Sequence, residues 1–253
     1  MPSFLQEQAC LYSIGRLLPE DMSISSPIRI AAYGLRYIFD GGGFTLSGDG
    51  TSSILPALFH VESGVTLELR NIVPTNTGGH AVIVDGGAEL VAGEGVWFRG
   101  NGDSAVYINA TAKASFTSTN FTDNHAIKKG GGIRVKYGGT IEVTSAMFTN
   151  NTADRLGGGI FVGRNAKATI KSSTFNGNAA DGKGGGIFFH GHTKGTIKSS
   201  TFNGNVASSE GGALWKEKYG GPLSGKDCDC SGNEPENYPH GHRVNIGASC
   251  TWN

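Results

Sequence analysis

Lysines recur at a fixed step in the second half of this 253-residue chain. Lys167 and Lys171 flank one short alternating segment, and Lys194 and Lys198 flank its next copy, 27 residues later. Alternate side chains of a β-strand point to opposite faces, so the apolar residues between the lysines face inward and the lysines face solvent. Coils of a stacked repeat lie about 4.8 Å apart, and four residues along a strand span about 13 Å. The four lysines are therefore predicted to form a patch that binds an acidic glycan or another polyanion. The alternative is solvated lysines that only prevent edge pairing.

A second set of residues has the types used in polysaccharide cleavage. Asp154 and Asp181 occupy equivalent positions of neighbouring repeats, and Arg164 and His190 lie near one predicted corner. Glycosidases need two converging carboxylates, and lyases combine calcium-binding acidic groups with a basic proton acceptor. A further acidic group lies earlier in the chain: Asp85, Glu89 and Glu94. Because a catalytic site needs different groups converging, near-identical repeats favour a scaffold or a multivalent binder, with no catalytic residue and no cofactor.

Cysteines cluster near the end of the chain. Cys228 and Cys230 are one residue apart, which disfavours a bond between them, so a disulfide from one of the two to Cys250 is predicted, in an oxidising compartment. Zinc is the alternative, with the three thiolates and either His240 or His242 as ligands. The spacing matches no standard zinc motif, so the disulfide is preferred and no metal is expected.

The elements that must position these residues are repeats of 27 residues. Self-similarity at such a period indicates units that bury their apolar faces only against their neighbours. The glycine signature recurs four times, at residues 130–133, 157–160, 184–187 and 211–214. A phenylalanine column and an asparagine column keep the same step: Phe121, Phe148, Phe175 and Phe202; Asn124, Asn151, Asn178 and Asn205.

Apolar and polar residues alternate with a period of two within each unit, as in Ile160 and Val162, which is the spacing of strands and not of helices. Identical units in register then form parallel sheets along a coil, which predicts an all-β, single-stranded parallel β-helix. Asparagine suits a ladder because its amide both donates and accepts. Phenylalanine suits one because offset rings stack. Glycine permits a positive φ at a corner where a Cβ would clash.

Gly-Gly-Ala-Leu at 211–214, its Gly-Gly-Gly-Ile variants and five Phe-x-x-Asn segments, the first starting at Phe98, resemble the polymorphic outer membrane protein repeats of bacterial surface proteins. The resemblance is strongest from Phe98 to Leu214, and three of the four sites have Gly where the family prefers Ala. It implies a pectin-lyase-like β-helix that is right-handed, and a secreted or cell-surface location.

The ends of the chain depart from the repeat. Residues 1–20 carry apolar residues at helical spacing up to Pro19, which predicts a short helix that caps the first coil and not a signal peptide or a membrane span. The predicted organisation is an N-terminal cap with the first strands at 1–40, β-helix repeats at 41–215 and a cysteine-containing cap at 216–253.

Charge is distributed unevenly although the formal net charge is zero. Residues 40–103 contain eight acidic and two basic residues, whereas residues 125–205 contain eleven basic and three acidic ones. This favours a polyanion at the later half. The function expected is a non-enzymatic extracellular adhesin or scaffold, a monomer or part of a larger surface protein. Its partners would be an acidic polysaccharide or a cell-surface protein, and not a specific nucleic acid; a carbohydrate-active enzyme is the alternative.

Overall fold

The computed structural model describes residues 18–48, 55–219 and 221–234, and in these ranges the chain is built from β-strands and turns without a helix. The strands, in chain order, are β1 (Met22–Ile24), β2 (Ile28–Ile30), β3 (Arg36–Asp40), β4 (Thr45–Gly48), β5 (Ala57–Val61), β6 (Thr66–Arg70), β7 (Val73–Thr75), β8 (His80–Val84), β9 (Glu89–Ala92), β10 (Trp97–Arg99), β11 (Val106–Ile108), β12 (Lys113–Thr117), β13 (Asn120–Thr122), β14 (His125–Ala126), β15 (Ile133–Val135), β16 (Thr140–Thr144), β17 (Met147–Thr149), β18 (Thr152–Ala153), β19 (Ile160–Val162), β20 (Lys167–Lys171), β21 (Thr174–Asn176), β22 (Ala179–Ala180), β23 (Ile187–Phe189), β24 (Lys194–Lys198), β25 (Thr201–Asn203), β26 (Val206–Ala207), β27 (Leu214–Lys216), β28 (Leu223–Lys226) and β29 (Asp229–Ser231).

The strands form four sheets, and each sheet takes one strand from successive coils. Sheet A has the order β1-β4-β7-β10-β13-β17-β21-β25-β29, sheet B β2-β5-β8-β11-β15-β19-β23-β27, sheet C β3-β6-β9-β12-β16-β20-β24-β28 and sheet D β14-β18-β22-β26. Neighbouring strands pair in parallel, as β19 does with β23. The chain thus winds through sheets B, C, A and D in every later coil, and the predicted parallel β-helix is confirmed.

The regular 27-residue step begins at the fourth coil. Ile133, Ile160 and Ile187 occupy one buried column of sheet B, each paired with the next. In the earlier coils the step shortens to 24 residues between Thr77 and Asn101 and to 23 residues between Asn101 and Asn124. The early coils are therefore less regular than the later ones.

The predicted phenylalanine column forms a continuous stack in the core. Adjacent ring centroids lie 4.6 Å apart for Phe121 and Phe148, 4.7 Å for Phe148 and Phe175, and 4.8 Å for Phe175 and Phe202, with interplanar angles of 2° to 6°. All four rings are fully buried, and Phe98 adds a fifth ring at 5.0 Å from Phe121. The stack therefore runs through five coils.

The predicted asparagine column is a buried hydrogen-bonded ladder at the corner from sheet A to sheet D. The side-chain amide of Asn151 donates to Asn178 Oδ1 at 2.9 Å, and that of Asn178 donates to Asn205 Oδ1 at 2.9 Å. Each amide also bonds a backbone carbonyl, as Asn178 Nδ2 does with Phe148 at 3.0 Å. Asn101 and Asn233 extend the ladder at either end.

The glycine signature serves two different needs. Gly157, its first position, has a φ of 67°, in the left-handed region that favours glycine. Gly158, its second, has no such φ, but a Cβ there would lie 2.3 Å from the Ala179 carbonyl oxygen and 2.5 Å from that of Gly185. The second glycine is thus required by the close approach of neighbouring coils.

One serine of each later coil also has a positive φ, at the corner from sheet C to sheet A. These serines are Ser118, Ser145, Ser172 and Ser199.

The β-helix extends beyond both ends of the predicted repeat region. Its first strand, β1, already pairs in parallel with β4, so coils begin before residue 41. After residue 215, β28 continues sheet C and β29 continues sheet A. Repeat signals weaken here because Cys230 takes the phenylalanine position opposite Phe202. Residues 1–17 of the stretch predicted to form a helix, and the chain after residue 234, lie outside the described residues.

A buried acidic residue stabilises the first coils. Glu68, whose side chain is 10% exposed, accepts a hydrogen bond from Arg36 Nε at 3.0 Å and also pairs with Arg70. Burial by itself would raise the pKa of Glu68, but the hydrogen bonds and charges of the two arginines outweigh it and lower this pKa. The carboxylate therefore stabilises the fold above the pKa it has in the unfolded chain, and this contribution is lost as the pH falls through the folded-state pKa.

We expect Glu68→Gln to lower the melting temperature at neutral pH, and the difference from wild type to shrink as the solution is acidified. Melting curves between about pH 7 and about pH 3 measure this. Glu62→Gln is the matched control, because the ion pair of Glu62 with Arg29 is exposed and contributes little. Equal losses in the two variants at neutral pH would contradict the stabilising role of Glu68.

Candidate functional site

The four predicted lysines lie together on the outer surface of sheet C. Ala168 and Ile170 of β20 are buried in the core, which leaves Lys167 and Lys171 exposed at the two ends of the strand. β24 repeats this arrangement with Lys194 and Lys198, which pair in register with Lys167 and Lys171. These four lysines and Lys226, which pairs with Lys198, are called the lysine face.

A fifth lysine belongs to this face and was not predicted. Lys226 of β28 pairs with Lys198, so one column contains three lysines in consecutive coils: Lys171, Lys198 and Lys226. Between the two lysine columns runs a row of hydroxyls, where Thr196 Oγ1 lies 3.3 Å from Ser224 Oγ. The sequence did not reveal Lys226, because this lysine lies 28 residues after Lys198 whereas the repeat has a step of 27 residues.

Four of the five lysines of the lysine face have no ion-pair partner in the described ranges. None of Lys167, Lys171, Lys194 and Lys198 forms an ion pair with another residue of the described ranges, while Lys226 lies 3.9 Å from the Asp227 carboxylate. Like charges directly opposite each other on paired strands are destabilising. An anion bound across the columns would remove this repulsion, so the geometry is suited to a ligand with repeated negative charges.

The candidate catalytic residues lie in two separate places. Asp154 and Asp181 follow strands of sheet D in neighbouring coils, before the chain enters sheet B. Arg164 and His190 lie after the strands of sheet B, at the corner to sheet C. No hydrogen bond or ion pair of the described chain joins the two pairs, and His190 contacts Glu217 instead, at 3.4 Å. The residues named for cleavage therefore do not form one cluster.

Asp154 has a different partner, which the sequence did not indicate. The ring of His125 contacts Asp154 through Nε2 at 3.4 Å and Thr152 Oγ1 through Nδ1 at 2.8 Å. The imidazole and the carboxylate are about half exposed, at 53% and 44%. This chain of hydroxyl, imidazole and carboxylate joins two coils. The sequence shows the 27-residue step between these coils, but it does not indicate the contact, because the column that contains His125 and Thr152 has a different residue type in each coil.

The acidic residues of the early coils are also dispersed. Asp85 accepts hydrogen bonds from Asn109 Nδ2 at 3.0 Å and contacts His60 Nε2 at 2.8 Å, at the corner from sheet B to sheet C. Glu89 begins the following strand of sheet C, and Glu94 lies at the other end of that strand. The three carboxylates consequently belong to different parts of the coil.

Comparison with known proteins shows a match to the family described as "Right handed beta helix region" over residues 57–233, more than half of the chain. The chain belongs to the right-handed β-helix family. No curated protein and no solved structure gave a significant match. The match contains the strands that present Lys167 to Lys226 and the asparagine ladder as far as Asn233.

The family assignment shows that the β-helix is right-handed, and the structure shows that its strands pair in parallel. No helix in the described parts of the chain has the length and apolar character needed to cross a membrane.

Two cysteines of the right-handed β-helix are described. Cys230 is disulfide-bonded, and Cys250, its predicted partner, lies outside the described residues, so the pairing stays a prediction. Burial raises the pKa of Cys228, whose Sγ lies 3.4 Å from the Lys226 carbonyl oxygen. Zinc binds thiolates, and an oxidised Cys230 does not supply one. Among the described residues no group of three metal-binding side chains is present; His240 and His242 lie outside them.

Proposed function

We propose that this protein is a non-enzymatic extracellular or cell-surface β-helical module, of the adhesin or scaffold type, that binds acidic polysaccharide through the lysine face. The observation that carries the proposal is the register in which Lys167 pairs with Lys194 and Lys171 with Lys198. The disulfide at Cys230 supports an oxidising compartment outside the cytosol.

The regular spacing of the lysines supports a polymeric ligand over a small one. One column repeats a positive charge at each coil from Lys171 to Lys226, with about 4.8 Å between strands. An exposed charge pair contributes little by itself, but several contacts on one chain act together through their effective concentration. A polymer with repeated carboxylate or sulfate groups uses this arrangement, whereas a single anion does not.

The glycine and Phe-x-x-Asn motifs support a narrower assignment. We propose that the repeats are of the polymorphic outer membrane protein type, because Gly211-Gly212-Ala213-Leu214 and the stacked Phe and Asn columns have the composition typical of those repeats. A cell-surface protein is then an alternative partner of the same exposed faces.

We expect the purified protein to retain acidic polysaccharides and not neutral ones, and to release no new chain ends. Lys171→Ala/Lys198→Ala removes two adjacent charges and should weaken retention by about tenfold or more. Retention should also fall steeply with salt, because exposed charges are screened. Affinity chromatography on a panel of acidic and neutral glycans, with a reducing-end assay, measures both properties.

Lys128→Ala/Lys218→Ala is the matched control, because both lysines are exposed and neither belongs to a strand of sheet C. It removes the same total charge and should leave retention unchanged. Equal weakening by both double variants would show that only net charge matters and would sink the lysine face as a site. New chain ends would instead establish the enzymatic alternative, with Asp154, Asp181 and His190 as the first residues to replace.

A further inference from the structure

The outer surface of sheet B carries a group of unlike polar residues around Tyr107. The ring of His80 stacks on that of Tyr107, with 4.8 Å between centroids and an interplanar angle of 20°. His80 Nδ1 lies 2.7 Å from the Ser104 carbonyl oxygen and therefore carries the proton, since a carbonyl only accepts. Burial lowers the pKa of His80, and the charge of Asp103, 3.8 Å from His80 Nε2, opposes this shift.

Two cations from the next coil reach the same tyrosine. The Arg134 guanidinium carbon lies 5.1 Å from the centre of the Tyr107 ring, and Lys136 Nζ lies 5.4 Å from it. Arg134 is the register partner of Tyr107 in β15, one coil beyond the tyrosine, whereas His80 precedes it. His80 and Arg134 thus contact Tyr107 from the coils before and after it. We call Tyr107, Arg134 and Lys136 the tyrosine shelf.

Neither Arg134 nor Lys136 forms an ion pair with a described residue. A third cation, Lys129, lies beside them with Nζ 4.5 Å from the centre of the Phe161 ring. Burial lowers the pKa of Lys129, the charges of Arg134 and Arg155 lower it further, and the charge of Glu217 opposes them. Repulsion between these cations lowers the stability of the fold. A bound anion would reduce this repulsion and would therefore stabilise the protein.

We propose that the tyrosine shelf is a binding site for a compact dianion, a phosphate or sulfate group, held between Arg134 and Lys136. The planar guanidinium presents parallel donors to two oxygens of such a group, and the lysine ammonium supplies a second charge. Tyr107 fixes the position of both side chains through its ring. Two cations beside one ring suit a doubly charged group, and this distinguishes the tyrosine shelf from the lysine face, where single charges are spread over several coils.

The two surfaces belong to different sheets and can be tested independently. The lysine face lies on sheet C, and the tyrosine shelf lies on sheet B. Loss of binding at one of them predicts no loss at the other, so failure of the proposed polysaccharide function leaves the dianion site standing, and the reverse also holds.

The test is titration of the whole protein with inorganic phosphate and with inorganic sulfate, in calorimetry at constant ionic strength. We expect at least one of the two ions to bind, and Arg134→Gln and Lys136→Gln each to weaken its binding by about tenfold or more. Lys136 is exposed, so Lys136→Gln tests the proposal even where Arg134→Gln perturbs the fold. The ion that binds identifies whether the site is suited to phosphate or to sulfate groups.

Lys167→Gln/Lys194→Gln serves as the control, because it removes two charges from the lysine face and should leave ion binding unchanged. The proposal is overturned by the absence of binding for both ions. It is equally overturned if Lys136→Gln binds as wild type does, or if the control variant weakens binding as much as Lys136→Gln.

Discussion

Replacing Phe175 by alanine should lower the free energy of unfolding by about 3–5 kcal/mol. The ring is fully buried and stacks at 4.7 Å on Phe148 and at 4.8 Å on Phe202, so truncation removes contacts on both sides and leaves a cavity in the middle of the coil stack. The neighbouring coils resist collapse into this cavity because their spacing is set by the strand hydrogen bonds. Denaturant titration followed by circular dichroism measures the loss.

Met147→Ala is the matched control for the phenylalanine stack. Met147 lies next to Phe148 in β17 and is 50% exposed, so the same kind of truncation removes little buried surface. We expect a change within about 0.5 kcal/mol for this surface position. A Phe175→Ala variant that loses no more stability than Met147→Ala would refute the stack as a source of stability.

Asn178→Ala should have the second largest effect, a loss of about 1–3 kcal/mol. The side chain donates to the Phe148 carbonyl and to Asn205 Oδ1, and its own Oδ1 accepts from the backbone and side-chain amides of Asn151. Removal of one rung leaves buried groups of both neighbouring coils without partners. The midpoint of thermal unfolding and the denaturant titration report the loss.

Asn176→Ala provides a control of the same residue type two residues earlier in the same coil. Asn176 is exposed, and the contact that its Oδ1 makes with Asn203 Nδ2 is long, at 3.4 Å. We expect this variant to melt close to wild type. If the two asparagine variants lost similar stability, the ladder would not be the reason for the asparagine column.

The columns were predictable because they repeat one residue type at a constant step. Phe175 and Asn178 could be aligned with their copies without knowledge of the fold, and the alternation in β20 gave the exposed positions of Lys167 and Lys171. A ladder needs only the period and the face, and the sequence contains both.

The contacts that the sequence missed join unlike residues across irregular steps. Glu68 meets Arg36 over 32 residues and His60 meets Asp85 over 25, because the early coils differ in length. Alternation also failed at Phe161, which points outward from sheet B and is nevertheless buried, in a small cluster with Phe188 and Trp215. Leu156, from the turn between sheets D and B, packs against this cluster and shields it from solvent. The alternation of residues within a strand cannot predict a contact with a residue from a turn.

The constant step has a consequence for how the chain finds its register. Thr169–Asn178 and Thr196–Asn205 are identical in sequence, and both lie in coils that offer the same apolar columns to their neighbours. If β20 were looped out, β16 could therefore pair with β24, which is nearly equivalent to β20. The side chains that face the core would still face the core in this arrangement. Misfolding by omission of one whole coil is less strongly penalised than a slip by one residue, which would turn each strand inside out. The same degeneracy allows repeats to be added or removed without redesign of the contacts between them.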